Sequence, residues 1–383
     1  MVLINYQEIW GISRNLPWCV LVTTGRTGTD LFQSLLDGHP QILQFPGIIH
    51  TNKNSLKKLS SKNGEELYKN FINDYRHFFD SRLNKVERHY MLGKNKNEYY
   101  TVDEEKFKYN FNKNFYQISK SNNKNQLYKN LIALHISYAE TCNHKIDLKK
   151  IMAINCHLVS SAAQLAKKLD NIEFDIIHTI RNPLSSVSSI ITNWLQYDDG
   201  KHFFAKSIFG ELDLIVNGIK KLIKINKKII LIQLEMLHTK HSQVINDFCK
   251  IYNLSYNKCL EHSTYFNLDW WGDVVSGKDL NGINKNFSIK FNENNFYERD
   301  IKFLEYILND YMLFYNYNFT RKISNISINF LPLKCEILTW KNSLKQKNIK
   351  NILSIPLFYF FRILFVNKFS QKNLKMPISL GAK

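Results

Sequence analysis

The chain has 383 residues, of which 44% are hydrophobic and 14% aromatic, and a formal net charge of +19. This length and composition exclude an intrinsically disordered protein and allow one large domain or two smaller ones. The six cysteines show no C-x-x-C spacing, which argues against a structural zinc site or a disulfide framework and favours a reducing compartment. Most of the basic excess lies in Lys/Asn-rich stretches typical of solvated surface.

Four short apolar runs have the pattern of buried strands, and helical patterns lie between most of them. The runs are Trp18–Thr23, Ile151–Cys156, Phe174–Ile180 and Ile229–Leu234. This alternation predicts an α/β fold with a parallel sheet flanked by helices. Ligands of such sheets bind beyond the carboxyl ends of the strands, so we expect functional residues directly after these runs.

The segment 50–145 interrupts the alternation and is rich in Tyr, Phe, Lys and Asn. Its amphipathic patterns predict a helical insertion, which we place on the acceptor side of one domain spanning residues 1–320. A later amphipathic helix is predicted over 297–315, because apolar residues recur there on one face. These residues are Ile301, Leu304, Ile307, Leu308 and Tyr311.

Residues 321–383 have the composition of a separate basic and apolar extension. Its apolar run, 352–366, contains Arg362 and is shorter than the roughly 20 residues that a membrane span needs. Two interpretations stay open: a helix buried against protein, or a helix on a membrane surface with lysines facing anionic lipid. The N-terminus lacks a signal-peptide pattern. We therefore expect a cytoplasmic protein, with the inner membrane face as the alternative.

The loop TTGRTGTD follows the first predicted strand and precedes a helical pattern. Gly25 and Gly28 allow a tight turn and the close approach of a ligand. The hydroxyl groups of Thr27 and Thr29 can donate hydrogen bonds, and Arg26 offers a fork of donors suited to phosphate or sulfate. A helix N-terminus adds a favourable potential for negative charge. The loop thus predicts an anion site.

Two features of this loop are unusual. The Walker pattern is absent because no lysine follows the glycines, which disfavours an ordinary ATP or GTP hydrolase. A carboxylate, Asp30, stands inside the loop. It could hold Arg26, cap the start of the helix, or face an acceptor molecule.

A second strand end also leads into an arginine, in the string IIHTIRNPLSSVSS (176–189). Arg181 would face whatever lies beyond the strand, and Pro183 suits the first turn of a helix. Ser189 lies about two helical turns further on and could return to the same place.

These two strings resemble the nucleotide-binding elements of sulfotransferases. GRTGTDLFQSLLDGHPQI is similar to the family's 5′-phosphosulfate loop, with Asp30 where the family usually has a hydroxyl. The second string is similar to the 3′-phosphate element, R-d-P-x-x-x-x-x-S. The resemblance implies a P-loop NTPase-like core and the donor 3′-phosphoadenosine-5′-phosphosulfate (PAPS), whose product is 3′,5′-adenosine bisphosphate. It implies that Gly25, Arg26, Thr27, Gly28, Thr29, Asp30, Arg181 and Ser189 bind the donor.

A later stretch, DWWGDVVSGKDLNGINKNF (269–287), is loosely similar to the family's late basic-Gly element. The resemblance places Lys278 or Lys285 near phosphate and Gly282 at a close approach. We interpret Trp270 and Trp271 as packing residues rather than adenine-stacking residues.

For the catalytic base, the resemblance favours His157, in a string NCHL similar to the family's K-T-H-L. Asn155 replaces the lysine of that string. A histidine is suited to general-base work near neutral pH. His50 is the second choice, with Asp103 and Glu104 as remote alternatives. Arg26 is the predicted charge-stabilising partner in the chemistry, and no metal is expected.

The sequence therefore predicts a sulfotransferase that moves a sulfuryl group from PAPS to a hydroxyl or amine. Cell-envelope glycan, lipid-linked sugar and small molecule all stay open as acceptors, and no nucleic acid partner is expected because its motifs are absent. The alternatives are a nucleotide or sugar kinase with a degenerate P-loop and a basic membrane-surface binding protein.

Overall fold

The computed structural model describes residues 16–121, 125–196, 204–273, 282–284, 287, 295–315, 317, 331–345 and 349–369. Five strands form one sheet in the order β2-β3-β1-β4-β5, and β2 and β3 run parallel. Their bounds are β1 (Trp18–Thr23), β2 (Ile42–Ile48), β3 (Ile151–Leu158), β4 (Asp175–Ile180) and β5 (Ile229–Gln233). A small antiparallel pair, β6 (Thr264–Tyr265) and β7 (Leu268–Asp269), follows. The predicted α/β class is confirmed.

Helices connect these strands. Those of the first half are α1 (Thr29–Leu35), α2 (Lys53–Leu59), α3 (Gly64–Asp74), α4 (Arg76–Phe79), α5 (Glu104–Ser119), α6 (Gln126–Thr141) and α7 (Val159–Lys168). Those of the second half are α8 (Pro183–Gln196), α9 (Phe204–Lys224), α10 (Leu234–Thr239), α11 (His241–Ile251), α12 (Glu298–Phe314), α13 (Lys334–Lys345) and α14 (Ile349–Phe369).

All four predicted strands are present, with ends that differ from the prediction by at most two residues. Strand β2 is an additional strand, which the sequence pattern concealed. Pro46 and Gly47 lie inside it, and proline lacks the N–H group that a sheet ladder needs. Its pairing with β3 is accordingly irregular between Gln44 and Ile48.

The chain divides into two compact units. The first unit comprises Met1–Val22, Gly28–Thr179 and Ile225–Phe287, and it holds most of the sheet. The second unit comprises Thr23–Thr27, Ile180–Lys224 and Ser288–Lys383. The boundary between them crosses the chain at the last residue of β1 and of β4, so the segments that begin at these two strand ends belong to the second unit.

The core of the first unit covers both faces of the central strand β1. Alternate side chains of a strand point to opposite faces. Leu21 packs in one cluster with Phe32 of α1 and Phe248 of α11. Trp18 stacks on Tyr128 of α6, with ring centroids 4.9 Å apart.

The helical insertion predicted at 50–145 comprises α2 to α6. Asparagine or aspartate caps start its longer helices, as the N-terminal N–H groups require. Asn63 accepts a hydrogen bond at the start of α3, Asp103 at α5 and Asn125 at α6. The insertion packs on the sheet through aromatic contacts, including the stacked pair Phe45 and Phe78.

The second unit contains α8, α9 and the three last helices. The amphipathic helix predicted near 297–315 is α12, and all five residues of its predicted apolar face are buried. Within the described part of the chain, no helix combines the length and apolarity that crossing a bilayer requires.

Candidate active site

The loop after β1 is braced by its own threonine side chains. The hydroxyl of Thr23 accepts a hydrogen bond from the N–H of Gly25 at 3.0 Å and donates to the Gly25 carbonyl. It also lies 2.5 Å from the hydroxyl of Thr27, whose N–H donates to the same carbonyl at 3.1 Å. These contacts fix the backbone of the loop without using the side chain of Arg26.

Gly25 brings the two predicted anion-binding segments together within the second unit. Its φ is 149°, and a Cβ there would lie 3.2 Å from the hydroxyl oxygen of Ser186, in the first turn of α8. The same Cβ would lie 2.2 Å from Oε1 of Glu211 on α9. A side chain at Gly25 would therefore displace the Glu211 carboxyl, and it would also have to adopt a φ that L residues rarely occupy, so glycine suits this position.

Glu211 is a buried carboxyl next to the loop. Burial raises its pKa to about 8, and the positive charge of Arg26 partly opposes this rise. Among the described residues, Oε1 of Glu211 and the hydroxyl of Ser186 are buried without hydrogen-bond partners. At neutral pH Glu211 retains its proton, so it adds an O–H donor and no negative charge beside Arg26.

The segment after β4 starts α8 with a side-chain cap. Arg181 is half-buried, directly after the strand. The side chain of Asn182 accepts the N–H of Ser185 at 3.0 Å, which satisfies one of the N-terminal donors of α8. Ser189 lies in α8, half-buried, one turn after Ser185.

The first helical turn of α1 belongs to the first unit. Gly28 has φ 84° and precedes the helix, and the helical bonding begins with Phe32 N–H donating to the Gly28 carbonyl at 3.0 Å. Thr29 contacts Thr179 of β4 through their hydroxyl groups, 2.5 Å apart. These contacts place the next residue, Asp30, on the first turn beside the end of β3.

Asp30 faces the end of β3, where it meets Asn155 and His157. Oδ1 of Asp30 accepts a hydrogen bond from Nδ2 of Asn155 at 3.3 Å and lies 4.0 Å from Nδ1 of His157. The sequence-based interpretations of Asp30 did not include these two partners, and a role of Asp30 toward an acceptor stays a prediction.

Asn155 is the centre of a buried polar network. Its Nδ2 also donates to Oε1 of Gln33 at 2.7 Å, and its Oδ1 accepts the backbone N–H of His157 at 2.8 Å. Gln33 in turn donates to the carbonyls of Phe45 and Gly47 in β2. Asn155 thus fixes the backbone of His157.

His157 has the backbone conformation of a constrained residue. Its φ is 60°, in the left-handed region that non-glycine residues rarely occupy. Such strain persists where surrounding contacts determine the backbone, and the hydrogen bond that the N–H of His157 donates to Asn155 is one of these contacts. The imidazole is partly exposed, with 38% of its side-chain surface accessible, so it can meet a ligand from solution.

A second carboxyl, Glu87, interacts electrostatically with Asp30. Burial, with smaller contributions from the charges of Asp30 and Asp273, raises the pKa of Glu87 to about 8, although a hydrogen bond from Asn84 opposes the rise. Its Oε2 lies 3.3 Å from Nε2 of His89, whose pKa burial lowers to about 3. At neutral pH both members of this pair are therefore uncharged.

The other predicted residues lie elsewhere. The backbone N–H of His50 donates a hydrogen bond to the Tyr75 hydroxyl at 3.0 Å. The side chain of Asp103 caps the start of α5. Trp270 donates from its indole to the Glu87 carbonyl at 2.6 Å, in keeping with a packing role.

In the late loop, Gly282 has φ 67° and approaches the backbone of Ser263. The predicted Lys278 and Lys285 lie outside the described residues. Trp271 donates from its indole to the Gly93 carbonyl at 2.7 Å and stacks beneath Lys96.

Three site residues were missed by sequence reasoning. Glu211 interrupts the apolar face of α9, between Ile208 and Ile215, and this break in the helical period was a usable signal. Gln33 likewise lies on the buried side of α1. Glu87 lies in the insertion, where the sequence carries no pattern that marks it.

Comparisons with known proteins give fold likenesses only. Neither a protein-family profile nor a curated protein sequence matches this chain. The structure is similar to a sulfotransferase domain from the curacin biosynthetic pathway, with TM-score 0.34 and 12% identity over 86% of this chain and 98% of that one. It is also similar to the sulfotransferase domain of the Synechococcus PCC 7002 olefin synthase, with TM-score 0.32 and 15% identity over 64% and 76% of the two chains.

Proposed function

We propose that this protein is a sulfotransferase that uses PAPS as donor and a hydroxyl or amine as acceptor. The observation that carries the proposal is the meeting of the TTGRTGTD loop with the first turn of α8 at Gly25 and Ser186. The sequence separates these two arginine-bearing segments by about 155 positions, and a donor with two anionic groups requires both of them.

The chemistry of the residues present fits an anionic donor. Arg26 supplies positive charge on the loop, and the orphaned hydroxyl of Ser186 and protonated carboxyl of Glu211 supply buried hydrogen-bond donors. Buried polar atoms without partners are costly unless a ligand satisfies them. In the proposal, residues 25–29 hold the 5′-phosphosulfate, and Arg181 with Ser189 holds the 3′-phosphate. The late loop contributes through Lys278 and Gly282.

The donor supplies an activated sulfuryl group when bound, and this chain supplies the base. His157 takes the proton of the acceptor hydroxyl or amine at Nε2, while Nδ1 faces Asp30. A movement of roughly 1 Å brings that pair from 4.0 Å to hydrogen-bond distance. Asp30 would then hold the tautomer with the proton on Nδ1, which leaves Nε2 free to accept. Glu87 stays neutral at pH 7 and does not compete for this proton.

The proposal also covers the acceptor and the cellular location of the protein. The acceptor is a glycan, a lipid-linked sugar or a small molecule, and the protein acts in the cytoplasm. The imidazole of His157 is partly exposed and can therefore meet an acceptor from solution.

Thermal unfolding with two nucleotides tests the proposal. We expect 3′,5′-adenosine bisphosphate to raise the melting temperature and ATP with Mg²⁺ to leave it unchanged. A ligand at about 100 times its Kd stabilises by about 2.7 kcal/mol, which a thermal scan resolves.

Arg181→Ala should abolish this shift, whereas Arg82→Ala should retain it. Arg82 is an exposed arginine in a surface ion pair with Asp80, so it controls for the loss of one positive charge. Stabilisation by ATP with Mg²⁺ alone would refute the sulfotransferase proposal and favour a kinase.

A further inference from the structure

Helix α14 exposes a continuous apolar stripe. Five residues on this helix are between 42% and 72% exposed: Ile349, Leu353, Leu357, Phe360 and Leu364. At 100° per residue, they lie within about 80° of one another around the helix axis. The stripe is about 22 Å long, at 1.5 Å per residue.

The opposite side of α14 holds the helix to the second unit. Arg362 is fully buried and forms an ion pair with Glu336 of α13, with Nε and Oε1 2.7 Å apart. Its guanidinium also lies over the ring of Phe303, 4.9 Å from the centroid. The charge that interrupts the apolar run in the sequence therefore points away from the stripe and leaves the stripe wholly apolar.

The sequence from α13 onward is strongly basic. Residues 334–383 contain ten basic residues and one acidic residue, which is Glu336. Because Glu336 pairs with Arg362, the remaining charges of this segment are nine lysines. Lys341 and Lys345 of α13 are both exposed. An apolar helix face in a lysine-rich segment complements a membrane, which is apolar within and can be anionic at its surface.

The size of the stripe argues against a second copy of the chain. A helix about 10 Å wide and 22 Å long offers roughly 220 Å², whereas a stable interface needs about 800 Å² from each partner. Two copies would also bring their lysine-rich segments together, which costs electrostatic energy. A bilayer needs no such area, because each apolar side chain that enters it contributes separately.

We propose that α14 docks this protein on the surface of a bilayer that contains anionic lipid. The helix lies in the plane of the interface, with Leu353, Leu357 and Phe360 inserted among the lipid chains. The lysines of the segment contact the headgroups, and the Arg362–Glu336 pair keeps the helix attached to the second unit. The docking is independent of the sulfotransferase proposal, because none of these residues belongs to the proposed site.

Sedimentation of the full chain with two kinds of vesicle tests this proposal. One kind contains phosphatidylcholine only, and the other mixes phosphatidylcholine with phosphatidylglycerol. We expect binding to the mixed vesicles that weakens with added salt. The double variant Leu353→Asp, Leu357→Asp should lower the apparent affinity at least roughly tenfold.

The matched control is Leu313→Asp with Tyr109→Asp, which places the same charges at exposed apolar positions outside the stripe. This control should bind like the unmodified chain, and an unchanged melting temperature should verify the fold of both variants. Equal binding by the stripe variant, or no binding to mixed vesicles by the unmodified chain, would overturn the proposal. A dimer in solution that the stripe variant dissociates would overturn it in favour of a second copy.

Discussion

Glu211→Gln is expected to change how the stability of the protein depends on pH. The glutamine keeps the size of the buried side chain next to Gly25 but cannot ionise. In the unmodified chain, burial raises the pKa of Glu211 from 4.5 to about 8. The folded state therefore retains a proton that the unfolded state loses, and stability falls as the pH rises from about 4.5 to about 8.

The size of this effect follows from the two pKa values. Each pH unit between them costs about 1.4 kcal/mol, so the loss from about pH 5 to about pH 7 is about 2–3 kcal/mol. An unfolding entropy of about 2.1 cal/mol/K per residue converts this into a drop of about 3 °C in melting temperature if the chain unfolds as one.

Thermal melts of the unmodified chain, Glu211→Gln and a control across this pH range measure the effect. The control is Glu105→Gln, which removes an exposed carboxyl on α5. The Glu211→Gln variant should gain stability relative to the unmodified chain as the pH rises, and the control should follow the unmodified chain. A Glu211→Gln curve parallel to the unmodified one would show that Glu211 is ionised at neutral pH. That result would refute our inference that the Glu211 carboxyl beside the loop is uncharged at neutral pH.

Three further substitutions test other parts of the site. Gly25→Ala should destabilise the protein by about 1–3 kcal/mol and weaken adenosine bisphosphate binding, because L residues rarely adopt the φ of 149° found there and the new Cβ would displace the Glu211 carboxyl. An unchanged melting temperature and affinity would contradict this. Asp30→Asn preserves an oxygen acceptor for Asn155 and should slow sulfate transfer roughly 10²-fold with little change in donor affinity, whereas equal losses in both would indicate a structural role. His157→Ala should lower turnover about 10²- to 10⁴-fold and leave nucleotide affinity intact, and calorimetry beside a turnover assay would separate the two.

The sequence pattern predicted four of the five strands of the sheet and missed the strand β2. The run Trp18–Thr23 is β1 itself, because an apolar run buried on both faces leaves a strong local signal. Strand β2 carries Pro46 and Gly47, which normally end a strand, and the pairing that tolerates them with β3 is a tertiary effect.

The candidate site was predictable only where its residues carry a local sequence signal. Arg26 and Arg181 follow strand ends, a position that the pattern of the chain reveals. The contact of Asp30 with His157 joins positions 127 residues apart, and local patterns contain no information on such a distance. The pKa of Glu211 depends on burial by other elements, which likewise emerges only in the folded chain.

The most direct test of the central claim is sulfate transfer from labelled PAPS to an extract of cell-envelope glycans and lipids. We predict that the label enters an acceptor fraction, that 3′,5′-adenosine bisphosphate forms in equal amount, and that Arg181→Ala and His157→Ala both suppress the transfer. Absence of labelled acceptor, together with phosphate transfer from ATP to the same extract, would contradict the account.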